Sequence, residues 1–309
     1  WHEYEPGDKP YYAVYGWSPA GGLDPALVPD ARTVWQVESG TTLAPGKPVT
    51  LVWSNGAGLT FRRVVEVDEN FLFTVRQSVE NTGTTPVTLA PYGIIVRHGE
   101  PRTQGNWILH EGVVRRSDGQ LQETDFPDMP DLDVSDREGG PADVIEVAAD
   151  GWTGFTDRYW MTSLIPSPGT AFTSVVKYVP GADLYQTETR QPAMTVDPGA
   201  TAEATSLLFA GAKEWEVIRA YQDDLGVKGF VDSIDWGWFY FLTKPIFLVL
   251  HWLHSLIGNM GLAIIGLTFI LKVLVLPLAY KSYASMARMK ELQPEIEALK
   301  ERTGEDKQK

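Results

Sequence analysis

The apolar segment from Met260 to Ala279 is the feature that most limits what this chain can fold into. It has 20 residues, and its only charged side chain is Lys272. A helix of about 20 apolar residues is about 30 Å long, which matches the hydrocarbon core of a bilayer. We therefore predict a transmembrane helix over residues 259–280.

The charges that flank this segment predict its orientation. Lys281, Arg288 and Lys290 follow it closely, whereas no Lys or Arg lies between Lys244 and its start. Because cytoplasmic flanks are enriched in Lys and Arg, the C-terminal side is expected in the cytoplasm. Residues 1–235 are then expected outside, which in a Gram-negative cell is the periplasm. The predicted location is the bacterial inner membrane.

Lys272 lies about two thirds of the way along the predicted span. A lysine within a membrane span costs about 2.5–3.5 kcal/mol on insertion scales. One interpretation is that its long side chain extends to the cytoplasmic surface. The other is that it faces a water-accessible cavity lined by protein. Thr268 lies four residues earlier on the same helical face, which favours the second interpretation.

Residues 236–258 combine aromatic, apolar and polar side chains in a helical pattern. Trp236 and Trp238 open an aromatic cluster of the kind found at membrane–water interfaces. Lys244 and His251 then mark one polar line beside a broad apolar face. This pattern and Pro245 favour an amphipathic helix lying in the interface. A complete membrane span is the alternative, since the length is sufficient.

Residues 281–309 show apolar side chains at spacings of three and four among charged and small ones. The pattern predicts an amphipathic helix that carries Arg288 and Lys290. A single such helix cannot bury its apolar stripe, so we expect one arm of a helical hairpin. Pro294 is expected to kink this arm or to restart it.

Residues 1–212 are predicted to form an all-β domain. Short β-branched and aromatic runs alternate with turn residues, and no helical period separates them. The first 30 residues, rich in Pro, Gly and Tyr, suggest loop and irregular edge. The predicted strands are Thr33–Glu38, Val49–Trp53, Leu59–Val67, Phe71–Glu80, Val87–Val96, Asn106–Val114, Val144–Ala148, Tyr159–Ile165, Ala171–Tyr178 and Glu203–Phe209. This number of strands favours a large sandwich of two antiparallel sheets. A helix over Lys213–Leu225 then begins a linker, residues 213–235.

The β region is acidic and shows no strong enzyme motif. Residues 1–235 carry 17 basic and 34 acidic side chains, and the whole chain has a net charge of −14 and no cysteine. This balance argues against nucleic-acid binding, and the lack of cysteine excludes disulfides and thiolate metal sites. The stretch Glu123–Asp143 begins like a calcium loop, but Asp136 and Ala142 break the pattern, so we interpret it as a solvated acidic loop.

Three polar residues near strand ends, His98, Glu100 and His110, are the other chemical candidates in this region. A sugar-modifying enzyme can use such a pair of histidine and carboxylate. We favour the interpretation that they are ordinary polar residues at strand ends, and we predict no catalytic residues, metal or cofactor. His251 and His254 lack a third metal ligand.

Several segments resemble the YidC/Oxa/Alb family of membrane protein insertases. Gly261–Leu278 and the following residues to Lys309 are similar to that family's first core span and cytoplasmic hairpin arm. Asp235–Asn259 resembles its interfacial helix, and Gly151–Pro166 resembles a signature of the large periplasmic domain.

The resemblance implies a mutarotase-like β-supersandwich in the periplasm, followed by an interfacial helix, a transmembrane helix and a cytoplasmic amphipathic helix. It also implies a hydrophilic groove in which a positive side chain attracts acidic parts of a substrate. Lys272 and Thr268 match the groove positions. Most bacterial members have Arg at the first of these, and Lys keeps the charge but loses the bidentate geometry.

The implied function is insertion and folding of inner-membrane proteins, alone or with the Sec translocon. Nascent membrane proteins, Sec components, the ribosome and the lipid bilayer are the implied partners. We expect the chain to be a piece of a longer protein with further core spans. The alternative is a membrane anchor that carries a periplasmic carbohydrate-binding or sugar-modifying sandwich.

Overall fold

The computed structural model describes residues 10–99, 110–237 and 239–303. The chain divides into two compact units, with the boundary between Asp235 and Trp236.

The first unit is a sandwich of two antiparallel sheets, which confirms the predicted architecture. Its strands in chain order are β1 (Tyr11–Ala20), β2 (Gln36–Ser39), β3 (Val49–Ser54), β4 (Leu59–Val67), β5 (Leu72–Asn81), β6 (Val87–His98), β7 (Gly112–Ser117), β8 (Gln120–Asp125), β9 (Val134–Ser135), β10 (Gly140–Val147), β11 (Gly151–Thr156), β12 (Trp160–Pro166), β13 (Phe172–Val179), β14 (Leu184–Arg190), β15 (Met194–Val196) and β16 (Thr201–Ala212). One sheet has the order β1-β6-β14-β13-β10-β9, with β15 also paired to β6. The other has the order β2-β3-β4-β5-β16-β12-β11-β7-β8.

Strand β1 was not expected from the sequence, which suggested loop in this region. Its ten residues pair with β6 from Tyr11 opposite Arg97 to Ala20 opposite Thr88. Strand β1 is an edge strand, so it tolerates Pro19 and Gly16, the residues that obscured the strand pattern. The predicted strand Asn106–Val114 lies partly outside the described residues, and β7 begins at Gly112.

The start of the predicted strand Phe71–Glu80 also differs from the prediction. Phe71 has a φ of 64° and is 53% exposed, so it belongs to the turn before β5 and not to the buried face. Within β5 the buried face consists of Val75, Gln77 and Val79. Gln77 therefore shares the face of the apolar residues, although its polarity suggested an interruption.

The core lies between the sheets. Tyr15 and Ile95 from one sheet pack with Phe155 and Leu164 from the other. Each of these side chains is at least nine-tenths buried. Burial of one large apolar side chain stabilises a fold by about 1.5–3 kcal/mol, so this layer holds the sheets together.

Residues 213–235 pack against the sandwich. Helix α1 (Trp215–Leu225) begins two residues later than predicted and ends at Gly226, whose φ is 71°. Ile218 of α1 and Phe230 of the following 3₁₀ turn are fully buried, in a cluster with Trp152. The segment expected as a linker is therefore part of the first unit.

The second unit consists of helix α2 (Tyr240–Ile257) and helix α3 (Met260–Thr303). Gly258, with a φ of 71°, ends α2, and its N–H donates to the carbonyl of His254 at 2.7 Å. The side chain of Asn259 then accepts from the N–H of Leu262 at 3.1 Å and caps α3. Both helices are long and apolar enough to cross a membrane.

Helix α3 joins the predicted span and the predicted cytoplasmic arm into one element. It has 44 residues and continues through Pro277 and Pro294. At 1.5 Å per residue it is about 66 Å long, roughly twice the hydrocarbon thickness of a bilayer. If its apolar half crosses a membrane, the other half extends beyond it.

Candidate membrane-embedded site

Helix α3 places Thr268 and Lys272 one turn apart on the same face, and both are exposed. The hydroxyl of Thr268 donates to the carbonyl of Ile264 at 2.8 Å, so the hydroxyl oxygen can still accept hydrogen bonds. Residues 236–280 contain no Asp or Glu. Any carboxylate that neutralises Lys272 therefore comes from outside this segment.

The contact between α2 and α3 lies close to the turn at Gly258. Leu253 of α2 is 7% exposed and Ala263 of α3 is fully buried. A Cβ atom on Gly266 would lie 3.6 Å from Cδ1 of Leu253. Small residues at 263 and 266 thus allow the two helices to approach closely, which is how helices pack in membranes.

The Thr268–Lys272 face points away from that contact. Residue 272 follows residue 263 by nine positions, which is two and a half turns and the opposite side of the helix. Gly266, Leu267 and Ile270, which are partly buried, continue the α2-facing side. The sequence did not identify Leu253, Ala263 and Gly266 as a contact, although small residues on one face of an apolar helix are a general sign of helix packing.

The predicted polar line of α2 forms a compact aromatic and cationic cluster. The Lys244 ammonium lies 5.5 Å from the centre of the Trp236 ring, at cation–π distance. The Trp236 and Phe247 ring centres are 5.4 Å apart, and those of Phe247 and His251 are 6.2 Å apart. Trp238 lies outside the described residues. This side of α2 therefore carries aromatic, ammonium and imidazole groups together.

The remaining predicted residues of the cytoplasmic arm, Arg288, Lys290 and Pro294, are all exposed on α3. Arg288 follows Lys272 by 16 positions, about 24 Å along the helix. The structure therefore separates these side chains from the Thr268–Lys272 face.

In the β domain, the ring nitrogens of His110 are engaged within the fold. Its Nδ1 lies 2.6 Å from a carboxylate oxygen of Asp125, and its Nε2 lies 2.8 Å from the carbonyl oxygen of Val113. The backbone N–H of His110 donates to Asp235 at 2.9 Å. His98 lies against the ring of Tyr12, with ring centres 6.0 Å apart, and Glu100 lies outside the described residues. His110 therefore holds a strand end in place.

The interpretation of Glu123–Asp143 as a solvated loop is wrong for Glu138. Its side chain is only 2% exposed, and both its oxygens accept from the guanidinium of Arg190 at 2.7 Å. The ammonium of Lys177 lies 3.5 Å away. The hydrogen bonds from Arg190 hold the pKa of Glu138 below its usual range. Among the described residues, no three His, Asp or Glu side chains are grouped as a metal site.

Two family models match almost the whole chain. The model described as YidC periplasmic domain matches residues 3–249, and the model described as 60Kd inner membrane protein matches residues 252–309. A relative from Paracoccus denitrificans, named Membrane protein insertase YidC, is 65% identical over 301 residues, which cover 97% of this chain and 47% of the relative. A relative of the same name from Jannaschia sp. is 58% identical over 98% of this chain and 51% of its own length. The chain thus spans about half the length of these curated relatives.

Among solved structures, the α-galactosidase AgaA from Geobacillus stearothermophilus has a TM-score of 0.45 and 9% identity over 68% of this chain and 32% of its own. A putative aldose 1-epimerase from Escherichia coli has a TM-score of 0.38 and 11% identity over 58% of this chain and 68% of its own.

Proposed function

Because this chain belongs to the family whose models describe the YidC periplasmic domain and the 60Kd inner membrane protein, we propose that it forms part of a membrane protein insertase. In this proposal the chain acts without catalysis on nascent membrane proteins at the bacterial inner membrane, with the β domain in the periplasm. The relatives that match nearly all of this chain are named as insertases, which supports this assignment.

One observation supports the proposal most strongly, the polar face formed by Thr268 and Lys272 on an otherwise apolar helix. This face points away from α2, so it is available to line a cavity with other parts of the protein. We propose that Lys272 attracts acidic side chains of a substrate there, while the apolar part of the substrate passes into lipid.

The magnitude of the attraction suits transient capture. Two opposite charges about 4 Å apart attract by about 4 kcal/mol at an effective dielectric constant of about 20, and by about 1 kcal/mol in bulk water. A partly hydrated groove lies between these limits. A substrate carboxylate is therefore held long enough to be guided and is then released.

The finer parts of the proposal concern location and partners. The resemblance implies cooperation with the Sec translocon and contact with the ribosome, and we include both as proposed partners. The aromatic and cationic cluster of α2 supports the proposal that this helix lies in the membrane interface.

Charge variants of Lys272 in the full-length protein test the proposed role. Insertion is measured for two substrates that differ only in whether the short translocated tail is acidic or neutral. We expect Lys272→Arg to be tolerated, Lys272→Ala to weaken insertion of the acidic-tailed substrate, and Lys272→Glu to be worst. The neutral-tailed substrate should depend on Lys272 much less.

Lys281 provides the matched control, because it lies nine residues further along α3 on the opposite side. Lys281→Ala and Lys281→Glu should leave the difference between the two substrates unchanged. If the Lys272→Ala and Lys272→Glu variants insert both substrates as well as the parent protein does, the proposed role of the charge is wrong. Lys272 would then extend to the membrane surface without contacting substrate.

A further inference from the structure

Two turns at one end of the β domain expose large aromatic side chains. Tyr159 and Trp160 are 63% and 56% exposed at the β11–β12 turn. Phe71 is 53% exposed at the β4–β5 turn. We call these three residues, with Arg158, the aromatic edge.

Strand β16 brings the two turns together. The carbonyl of Phe71 accepts from the N–H of Ala210 at 3.1 Å, and Trp160 is paired with Ala212 on the other side of β16. Adjacent strands are about 4.8 Å apart, so the two turns lie about 10 Å from each other. The exposed aromatic residues therefore belong to a single surface.

The turns themselves do not require these side chains. Residues 157–159 connect β11 to β12, and the N–H of Asp157 donates to the carbonyl of Trp160 at 2.8 Å. Such turns favour Gly, Asn, Asp or Pro, and Asp157 follows this preference, whereas Arg158 and Tyr159 do not. Phe71 has a φ of 64°, which is unfavourable for a bulky residue. Backbone strain of this kind is concentrated at functional sites.

The same end of the domain is where the chain leaves toward the apolar helices. The side chain of Asp235 accepts from the N–H of His110, two residues before β7. The start of β7 is paired with the end of β11, next to the β11–β12 turn. Only four residues, 236–239, separate Asp235 from the start of α2.

We propose that the aromatic edge contacts the headgroup region of the lipid bilayer. Trp and Tyr prefer this region because their rings are apolar at one end and polar at the other. The guanidinium of Arg158 lies 5.1 Å from the centre of the Tyr159 ring, so the aromatic edge also carries a positive charge. The chain also leaves the β domain at this end, since Asp235 is bonded to the N–H of His110. The inference rests on the membrane anchoring in the proposed function.

The contact restrains the β domain in the insertase. The hydroxyl of Tyr221 in α1 donates to Asp68 at the base of the β4–β5 turn. The carboxylate of Asp68 also accepts from the N–H groups of Asn70 and Leu72. The turn is thus firmly held, and a membrane contact at its tip is transmitted to the body of the domain.

Single spin labels in the full-length protein test the proposal. The chain contains no cysteine, so an introduced cysteine is the only one in this part of the full-length protein. The protein is placed in nanodiscs of phosphatidylethanolamine and phosphatidylglycerol. Labels at Tyr159→Cys, Trp160→Cys and Phe71→Cys are compared for collision with oxygen and with a water-soluble nickel chelate. Thr84→Cys is the matched control, since it is exposed beyond the far end of β5, about 33 Å away.

We expect the three edge labels to lose collisions with the nickel chelate and gain collisions with oxygen relative to Thr84→Cys. A label at Ile265→Cys in α3 reports anchoring separately. If Ile265→Cys is in lipid while all edge labels are as water-exposed as Thr84→Cys, the inference fails and the anchoring stands. If Ile265→Cys is in water as well, both fail. If the edge labels become protected only when a second protein is added, the aromatic edge binds a protein partner and the lipid proposal is wrong.

Discussion

The hydroxyl of Tyr221 in helix α1 donates a hydrogen bond at 2.6 Å to a carboxylate oxygen of Asp68, 153 positions earlier in the chain. Asp68 also holds the β4–β5 turn through the N–H groups of Asn70 and Leu72. One carboxylate therefore connects the C-terminal helix of the first unit to a turn near its N-terminal half. Residues 213–235 are fixed to the sandwich by polar contacts as well as by apolar packing.

Tyr221→Phe should destabilise the β domain by about 1.5 kcal/mol, because it removes a hydrogen bond to a charged group while leaving the ring in place. The measurement is the free energy of unfolding of the β domain in the full-length protein. Urea unfolds the domain, and near-ultraviolet circular dichroism monitors the transition. Tyr12→Phe, on an exposed side chain of β1, is the control and should change stability by less than about 0.5 kcal/mol.

The Tyr221→Phe variant should also change how the stability of the β domain responds to alkaline pH. Burial and the bond to Asp68 raise the pKa of Tyr221 above its usual value. The neutral phenol is therefore favoured in the folded state, and its contribution is complete below about pH 10 and is lost as the pH rises further. Tyr221→Phe should be less sensitive than the parent protein above this pH. An identical alkaline unfolding profile would contradict the assignment.

Glu138→Gln should destabilise the β domain by about 1.5–3 kcal/mol, because it weakens two charge-assisted hydrogen bonds to Arg190. The folded pKa of Glu138 is lowered, so its ionic contribution is present above the unfolded pKa of about 4.3 and is lost as the pH falls through the folded value. Stability should accordingly fall less steeply with acid in the variant.

Glu66→Gln is the matched control for Glu138→Gln. Glu66 also pairs with an arginine, Arg76, but both side chains are more than 40% exposed. Exposed pairs contribute about 0–1 kcal/mol, so this variant should show a small loss of stability. Equal losses for the two variants would mean that burial of Glu138 is unimportant.

Gly154→Ala should disrupt the pairing of β11 with β12. A Cβ atom on Gly154 would overlap the carbonyl oxygen of Thr162, a backbone atom that cannot move without separating the strands. Gly181→Ala is the control for adding a methyl group where it meets no neighbour and where the backbone does not need a positive φ. In nanodiscs, a protease should cut the full-length Gly154→Ala variant faster than the parent protein. The control variant should be as resistant as the parent protein. Equal resistance would show that the sheet accommodates the methyl group.

Helix α2 should lie at the level of the lipid headgroups. Its cluster of Trp236, Lys244 and His251 places aromatic and cationic groups on one side, which suits an interface. Spin labels at Lys244→Cys and His251→Cys should report equal headgroup depths. Because α2 also has the length to cross the membrane, depths that differ by about 10 Å, the two turns between these residues, would show that it spans the bilayer.

The patterns of neighbouring residues were sufficient to predict the main parts of this protein. The 20-residue apolar segment with one lysine predicted a membrane helix, and the alternating runs between turns predicted a sandwich of antiparallel sheets. The boundary predicted between residues 258 and 259 coincides with the break between the two helices. Such features depend on local periodicity and hydropathy, which are readable from the chain alone.

Only the tertiary structure decided which distant residues meet. Glu138 looked solvated because it lies in an acidic stretch, yet folding places it beside Arg190, 52 positions later, and buries it. Phe71 looked like a strand residue because its neighbours alternate, whereas the connection to β5 requires a left-handed turn there. Leu253 meets Ala263 and Gly266 because the turn at Gly258 folds one helix against the other. Pairings across long separations depend on strand order and chain reversal, and no local pattern records them.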